Sequence, residues 1–410
     1  MASEPRPLDL PHVAVLPSDP DFNQNPYREY ANWHQTASTF WWDAYGHACF
    51  AGFETVNAIL RDRRFGREIL HVASREELGI PEPPDHVKPF VEFDSRSMLE
   101  REPPVHTRLR RLVNRAFVSR IIERLRPQIE KLTHELIDGF VDKGEVDLIR
   151  EFATPVPVTV IAEMLGVPPG HNQQLLDWSH AMVAMYQFNR SRSVEDAAVK
   201  ATAEFSSFIN HIVDNRQPGE RADLIGTLLK AEVDGDALTR DELVTTCILL
   251  LNAGHEATVH AIGNGVKAIL ESGLDVASLT RPEVLASTIE EVLRIDPPLH
   301  MFTRWVLEDC VIDGVQLRKG DTVGLLLGAA NHDPTRFATP QQFSPLRENL
   351  SHTSFGAGIH FCVGAPLARL ELAVALPILF ERLPNLKIAK PPVYADRYHF
   401  HGLEQLQLSW

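Results

Sequence analysis

Cysteine is scarce in this chain: four in 410 residues, at Cys49, Cys247, Cys310 and Cys362, with no CxxC pair and no regular spacing. Such scatter excludes a disulfide-stapled scaffold and a zinc ribbon, and it suits thiols kept reduced in a cytoplasmic protein. Long apolar runs are missing as well. The longest, residues 248–251 and 323–330, fall far short of the ~20 residues that cross a bilayer, so no membrane span is expected. The N-terminal stretch carries Pro5, Pro7 and Asp9 where a secretion signal needs a basic start and an apolar run, and no such signal is visible. Positive charge is the minority sign. With 40 Lys and Arg against 55 Asp and Glu the net charge is −15, which argues against general affinity for nucleic acid or anionic lipid. Repeats, low-complexity tracts and Gly/Ser linkers are absent too, so residues 1–410 read as one continuous domain, long enough to bury both a core and an enclosed pocket.

What is present is helical periodicity through most of the chain after residue 105, beside strand-like pieces at Thr39–Trp42, 48–52, 310–317 and 322–327. Asp313-Gly314 within the third piece is a hairpin-type turn. The expected class is therefore mainly α with a small β-sheet region. The longest helix is predicted to start at Thr239, where Thr239 and Glu242 have capping-box spacing, and to run to Ser272-Gly273, roughly 50 Å at ~1.5 Å per residue. Its middle reads Leu250-Leu251-Asn252-Ala253-Gly254-His255-Glu256-Ala257-Thr258, which places an acid and small residues mid-core. A second helix should begin near Pro282 and stop at Asp296-Pro297-Pro298, because a residue before proline is pushed out of helical geometry. Glu291 and Arg294 sit at i and i+3 on it, able to pair or to share a partner. A third begins just after Cys362, with Pro366 in its first turn and Leu367, Leu370 and Val374 spaced for one buried face.

Cys362 thus precedes a helix N-terminus, where free N–H groups and the helix dipole favour a thiolate, a place for a metal ligand. The segment Phe355-Gly356-Ala357-Gly358-Ile359-His360-Phe361-Cys362-Val363-Gly364 surrounds it with glycines that allow backbone to approach a flat cofactor. A lone cysteine in such a loop is most often a small buried residue, and Glu-x-x-Arg alone decorates many solvated helices. The ordered set carries the information. Phe-Gly-x-Gly-x-His-x-Cys-x-Gly at 355–364, Glu291-x-x-Arg294 upstream of it and Arg347 in Phe343-Ser-Pro-Leu-Arg resemble the signatures of the cytochrome P450 family at every defining position. Ala253-Gly254-x-Glu256 and His106-x-x-x-Arg110 extend the resemblance over about residues 20–405.

The resemblance implies the cytochrome P450 fold, with haem b (iron protoporphyrin IX) between the long central helix and the Cys-loop helix, and Cys362 as axial ligand to the iron. In that family the thiolate donates electron density through iron and favours O–O cleavage. The implied reaction activates O₂ with electrons drawn from NAD(P)H through a ferredoxin or flavodoxin and its reductase, and inserts one oxygen atom into a hydrophobic small molecule. Phe355 and Gly364 belong to the haem loop; His106, Arg110, Arg304 and His360 match positions that hold the haem propionates. Glu291, Arg294 and Arg347 match a structural ion network. Gly254, Glu256, Ala257 and Thr258 match the oxygen-activating stretch, with one departure: most relatives carry threonine directly after the acid, where this chain has Ala257. Thr258 comes one residue late, ~100° around the helix, so proton delivery should lean on Glu256, ordered water or a substrate hydroxyl.

By the same resemblance Phe90, Phe93, Met185, Leu250, Ala253, His300, Phe302 and Phe400 should line the substrate pocket, a mostly apolar set. Residues 101–126 hold eight arginines against two glutamates, a local basic surplus that would steer an acidic electron donor to the face near the cysteine loop. A monomer with no nucleic-acid or membrane partner is expected. Two other readings compete. One keeps the haem thiolate but uses peroxide or a non-oxygenase haem reaction, against which Glu256 argues; the other is a zinc set of His352, His360 and Cys362, which lacks a fourth nearby ligand.

Overall fold

The capping box expected at Thr239 is formed. Its hydroxyl accepts from the Glu242 N–H, the Glu242 carboxylate accepts from the Thr239 N–H (2.9 Å), and the central helix runs Arg240–Ser272 until Gly273 turns left-handed. The computed structural model describes residues 9–117, 119–216, 223–230, 232–233 and 236–410. Helices Pro155–Leu165, Arg192–Asp214, Pro282–Ile295 and Ala365–Arg382 all pack on the central helix, which is apolar on most of its faces and so has to be covered on all sides. The approach is close at Gly265, where a Cβ would stand 2.7 Å from Val292, and at Gly254, where it would stand 2.9 Å from Ile161.

Two apolar clusters divide that helix. Leu243, Ile248 and Leu251 join a cluster with Phe205, Ile209 and Val160; Val259, Ile262 and Val266 join another with Phe152, Val292 and Leu376. The stretch 252–258 belongs to neither. A break between two cores is where a helix can present polar and small side chains to something other than its neighbours, and the fold thereby marks the candidate site.

Beside the helices lies a six-stranded mixed sheet built on the hairpin of Thr39–Trp42 and His47–Phe50, with Thr322–Leu325 parallel to the second strand and Phe302–Val306 antiparallel to Thr322–Leu325. The turn at Asp313-Gly314 is as expected, with φ of 49° and 79° and Ile312 paired to Val315. Two strand boundaries differ from expectation. The piece at 48–52 is shifted to His47–Phe50, and that at 322–327 stops at Leu325 because Leu327–Ala330 forms a helical turn; a short apolar run does not distinguish a buried strand from a buried turn of helix.

Helix Pro282–Ile295 begins and ends where proline geometry dictates, and it carries the buried ion network. Arg294 grips Glu291 with two parallel bonds of 2.7 and 2.8 Å, both side chains wholly buried. Its remaining donors hold the carbonyls of Asn331 and Pro340 (2.8 Å each) and Gln342 (3.3 Å). Arg347 adds a bond of 3.2 Å to Glu291, and the Ser344 N–H donates to the same carboxylate at 2.7 Å. Removing one partner strands the other charge in apolar surroundings. Arg294→Ala is expected to cost about 3–5 kcal/mol, and Arg347→Ala less because its pairing is monodentate; denaturant unfolding of both variants measures this, and a loss below about 1 kcal/mol for Arg294→Ala would contradict it.

Candidate active site

The loop carrying Cys362 is rooted on that network. Asn331, whose carbonyl Arg294 holds, gives its side-chain amide to Ser354 Oγ (2.8 Å) and accepts from the Thr353 N–H (2.8 Å), while Ser354 Oγ donates to the Leu293 carbonyl (2.7 Å). The chain then closes on itself, the Cys362 N–H donating to the Phe355 carbonyl at 3.0 Å. Gly358 sits at φ 71°, and a Cβ there would lie 2.3 Å from the Leu60 carbonyl oxygen, so no other residue fits without moving backbone. Helix Ala365–Arg382 follows, with a proline in its first turn.

Of the four cysteines Cys362 alone is not buried. Its sulfur is nevertheless desolvated by protein, which pushes the thiol pKa up; the N–H groups of Gly364 and Ala365 and the guanidiniums of Arg110 and Arg369 pull the other way without prevailing. The thiolate expected from the helix end alone is therefore corrected: desolvation outweighs the dipole, and a directly bound cation is what would deprotonate this sulfur.

The residues singled out as propionate ligands gather at one edge of the loop. The rings of His106 and His360 lie 4.4 Å apart, and Arg110 Nη2 donates to the Phe361 carbonyl at 2.7 Å. Arg304 is buried and bonds only its neighbouring strand carbonyl, Thr303 (2.8 Å); among the described residues no carboxylate pairs with it. Burial, with Arg67 nearby, lowers its guanidinium to about 9. Burial, then His360 and Arg110, lower His106 to about 4. Glu102, which sequence reasoning missed, stands among them: its carboxylate meets His360 Nε2 at 2.9 Å and accepts the Arg67 N–H at 2.7 Å. The only signal was its place just before the His106 motif.

On the central helix Ala253 is exposed and Ala257 partly so, four residues apart on one face, although the helix around them is buried. Glu256 is turned away from that face and buried. It meets His180 Nε2 at 3.3 Å, Arg397 at 3.7 Å, His255 at 3.7 Å and His260 at 3.8 Å. Burial would raise its pKa, but these neighbours, His180 foremost, hold it down to about 2. Thr258 donates to the Gly254 carbonyl (3.4 Å) and lies beside Glu371, a wholly buried acid whose pKa burial pushes well up. Glu371 was missed in the sequence, where its trace is one acid within the apolar run Leu370–Leu372.

The predicted substrate residues scatter. Phe90, Met185 and Leu250 are buried in an apolar cluster, with Phe93 packed against it. His300 is corrected outright. Its ring is wholly buried and bonded to the Tyr30 hydroxyl (2.6 Å), because 300 points inward from the chain whose neighbour Leu299 bridges Phe400. Phe302 lies within van der Waals reach of Gly356, on the loop side, with the Arg304 guanidinium over its ring. Nor does a zinc set form at the loop: His352 is held by Glu290 at 3.2 Å, and among the described residues no metal-ligating group includes Cys362.

Comparison with known proteins decides what this arrangement is. The profile of the Cytochrome P450 family matches residues 266–387. The polyketide biosynthesis cytochrome P450 PksS of Bacillus subtilis is 33% identical over 404 residues, covering 96% of this chain and 98% of that protein. This chain belongs to the cytochrome P450 family. The 6-deoxyerythronolide B hydroxylase of Saccharopolyspora erythraea is 35% identical over 92% of the chain and 93% of its own length. Among solved structures, P450BioI in complex with an acyl carrier protein ligated to hexadec-9Z-enoic acid superposes at TM-score 0.88 with 33% identity, covering 95% of this chain and 100% of that one. The protein is accordingly a cytochrome P450 monooxygenase, which uses haem and O₂ and takes electrons from a redox partner.

The residues present fit a haem. A buried arginine without a carboxylate suits an anionic edge, the one unburied thiol suits the iron, and the small-residue face of the central helix leaves room for a flat ring. Gly358→Ala should keep the far-ultraviolet circular dichroism of the parent yet retain several-fold less haem, since the left-handed backbone alone costs about 1–2 kcal/mol for a residue with a Cβ and the Leu60 carbonyl must also move. Purification of that variant with full haem content would contradict this reading of the loop.

Proposed function

We propose that Cys362 is the axial ligand of the haem iron, that the substrate is a hydrophobic small molecule lying against Ala253 and Ala257, and that protons arrive through Glu256. What carries this reading is the single unburied thiol at the start of a helix, Ala365–Arg382, that packs on the central helix, whose two apolar clusters leave a gap. When bound, the haem supplies the reductive activation of O₂; per turnover a substrate C–H, one O₂, two electrons and two protons give an alcohol and one water. The remaining tasks fall to side chains.

Arg110 and Arg304 supply positive charge and His106 and His360 hydrogen-bond donors for the propionate edge, and a carboxylate beside Arg304 would restore its pKa from about 9 toward the usual range. Phe355, braced by the Arg369 guanidinium 4.5 Å over its ring, and Gly364 shape the loop around the sulfur. Glu291, Arg294 and Arg347 act only through the loop they anchor. Thr258 keeps its hydroxyl on the Gly254 carbonyl, and the buried Glu371 beside it is an acid whose pKa burial raises. Phe302 and Phe400 are the aromatic residues retained as pocket candidates.

Electrons are proposed to come from NAD(P)H through a ferredoxin or flavodoxin docking at the arginine-rich helix Val105–Ala116. Arg101, Arg108 and Arg126 are each committed to a carboxylate, Glu68, Glu242 and Glu123 respectively, so the basic surplus is smaller than the sequence count; the Arg120 side chain lies outside the described residues. Arg111, Arg115 and Arg124 are exposed, and Ile359 and Phe361 of the cysteine loop add exposed apolar surface joined to that helix through Arg110. A charged rim around an apolar centre suits a transient electron donor. No helix among the described residues is long and apolar enough to cross a membrane, and we place the enzyme in the cytoplasm as a monomer.

Cys362→Ser tests the assignment. The variant should still fold but lose the thiolate-type absorption of the reduced carbon monoxide complex, together with monooxygenation; retention of that spectrum would remove Cys362 from the iron. Ala257→Thr, assayed with any compound that shifts the ferric spin state in a ligand screen, should bind haem normally and raise the share of reducing equivalents recovered in product rather than peroxide. An unchanged share would mean that Ala257 only enlarges the pocket.

A further inference from the structure

The acid that the function relies on is sealed from solvent. Glu256 is 3% exposed, and a group that must be refilled with protons at every turnover needs a path to water. Four basic side chains surround it. His255 is wholly buried and its Nδ1 is bonded to the Leu251 carbonyl (2.7 Å); His260 is buried as well. Arg397 reaches solvent and approaches Oε1 at 3.7 Å, but a guanidinium keeps its protons in this pH range and can only anchor that oxygen. His180 is different. Its side chain is 53% exposed, it stands on helix Asn172–Val183 rather than on the central helix, and its Nε2 meets the other carboxylate oxygen, Oε2, at 3.3 Å.

We infer that His180 is the proton inlet of Glu256, a positioning residue that carries protons from bulk water to the buried carboxylate; this rests on the reading that Glu256 delivers protons to the site. A proton taken up from solvent at Nδ1 is matched by release of the Nε2 proton to Oε2. The ring is then neutral, with its hydrogen on Nδ1, and exchange with solvent returns it to the starting state. No electron moves, and two such cycles supply the two protons of one turnover.

The electrostatics agree with the geometry. The groups facing His180 are Glu256 and His255 from the central helix, Arg397 from the C-terminal segment and Asp177 on its own helix. The bond to Glu256 raises the imidazole pKa, burial opposes this, and the net shift is upward. The proton therefore rests on His180 and crosses to Glu256 only when it is drawn onward. With the pKa raised, the inlet is loaded at lower pH and emptied as pH climbs through the shifted value, so proton-limited turnover should fall on the alkaline side.

The test uses the haem-loaded full chain and two independent readouts. NADPH-driven oxygen uptake with added plant-type ferredoxin and its reductase needs no identified substrate. His180→Gln, which keeps a hydrogen bond to Glu256 but cannot take up and release a proton, should slow uptake at least about tenfold and enlarge the H₂O to D₂O rate ratio; His180→Lys, which keeps the charge, should not rescue it. The second readout is the NMR titration of ¹⁵N-labelled His180 in the diamagnetic carbon monoxide form, where Glu256→Gln should lower its pKa. Full uptake with an unchanged isotope ratio in His180→Gln, while Glu256→Gln is slow, overturns the inlet and leaves the role of Glu256 standing. Rescue by lysine makes His180 a charge partner only, and a Glu256→Gln variant with normal uptake would defeat the underlying reading itself.

Discussion

The bidentate grip of Arg294 on Glu291 is the contact from which the active-site loop hangs. Two buried charges in apolar surroundings are tolerable only when every remaining donor is used, and here the leftover guanidinium hydrogens are used on the carbonyls of residues 331, 340 and 342. That requirement immobilises an otherwise irregular stretch. Asn331, fixed at its carbonyl, can then fix Thr353 and Ser354 with its side chain, and Ser354 ties back to Leu293 on the same helix. The position of Cys362 thus follows from a pair of residues on helix Pro282–Ile295, outside the cysteine loop itself.

A second constraint acts on the other side of the site. The central helix is mostly apolar on both halves, and the price of a buried carboxylate where its two cores part, at Glu256, is an enclosure of three imidazoles and a guanidinium. Those partners come from three different parts of the chain, so the charge state of the acid reports whether the helix of His180 and the C-terminal segment are in place.

Much of this was legible in the residues. The capping box at Thr239, the stop at Asp296 and the turn at Asp313 are local rules, and the structure obeys them. The haem loop was legible because several constrained residue types occur together in a fixed order. What escaped was of another kind. Glu102 and Glu371 matter through partners far away in sequence, and neither sits in a pattern that local spacing can flag. His300 was expected in the pocket by resemblance, yet its ring is wholly buried against Tyr30, beside the bridge of Leu299 to Phe400. The thiolate at Cys362 was inferred from a helix end without the desolvation that only the packed loop imposes.

The contact between His360 and Glu102 spans 258 residues of chain, and the fit of Gly358 against the Leu60 carbonyl spans still more. At about 5–20 residues per second of synthesis, the first half of the cofactor cradle waits roughly 10 to 50 seconds on the ribosome before its second half emerges. Leu60, Glu102 and His106 are therefore laid down early, and the loop that carries Gly358, His360 and Cys362 arrives late to meet them. A chain cut short before residue 358 lacks both of these contacts, however well its earlier part has folded.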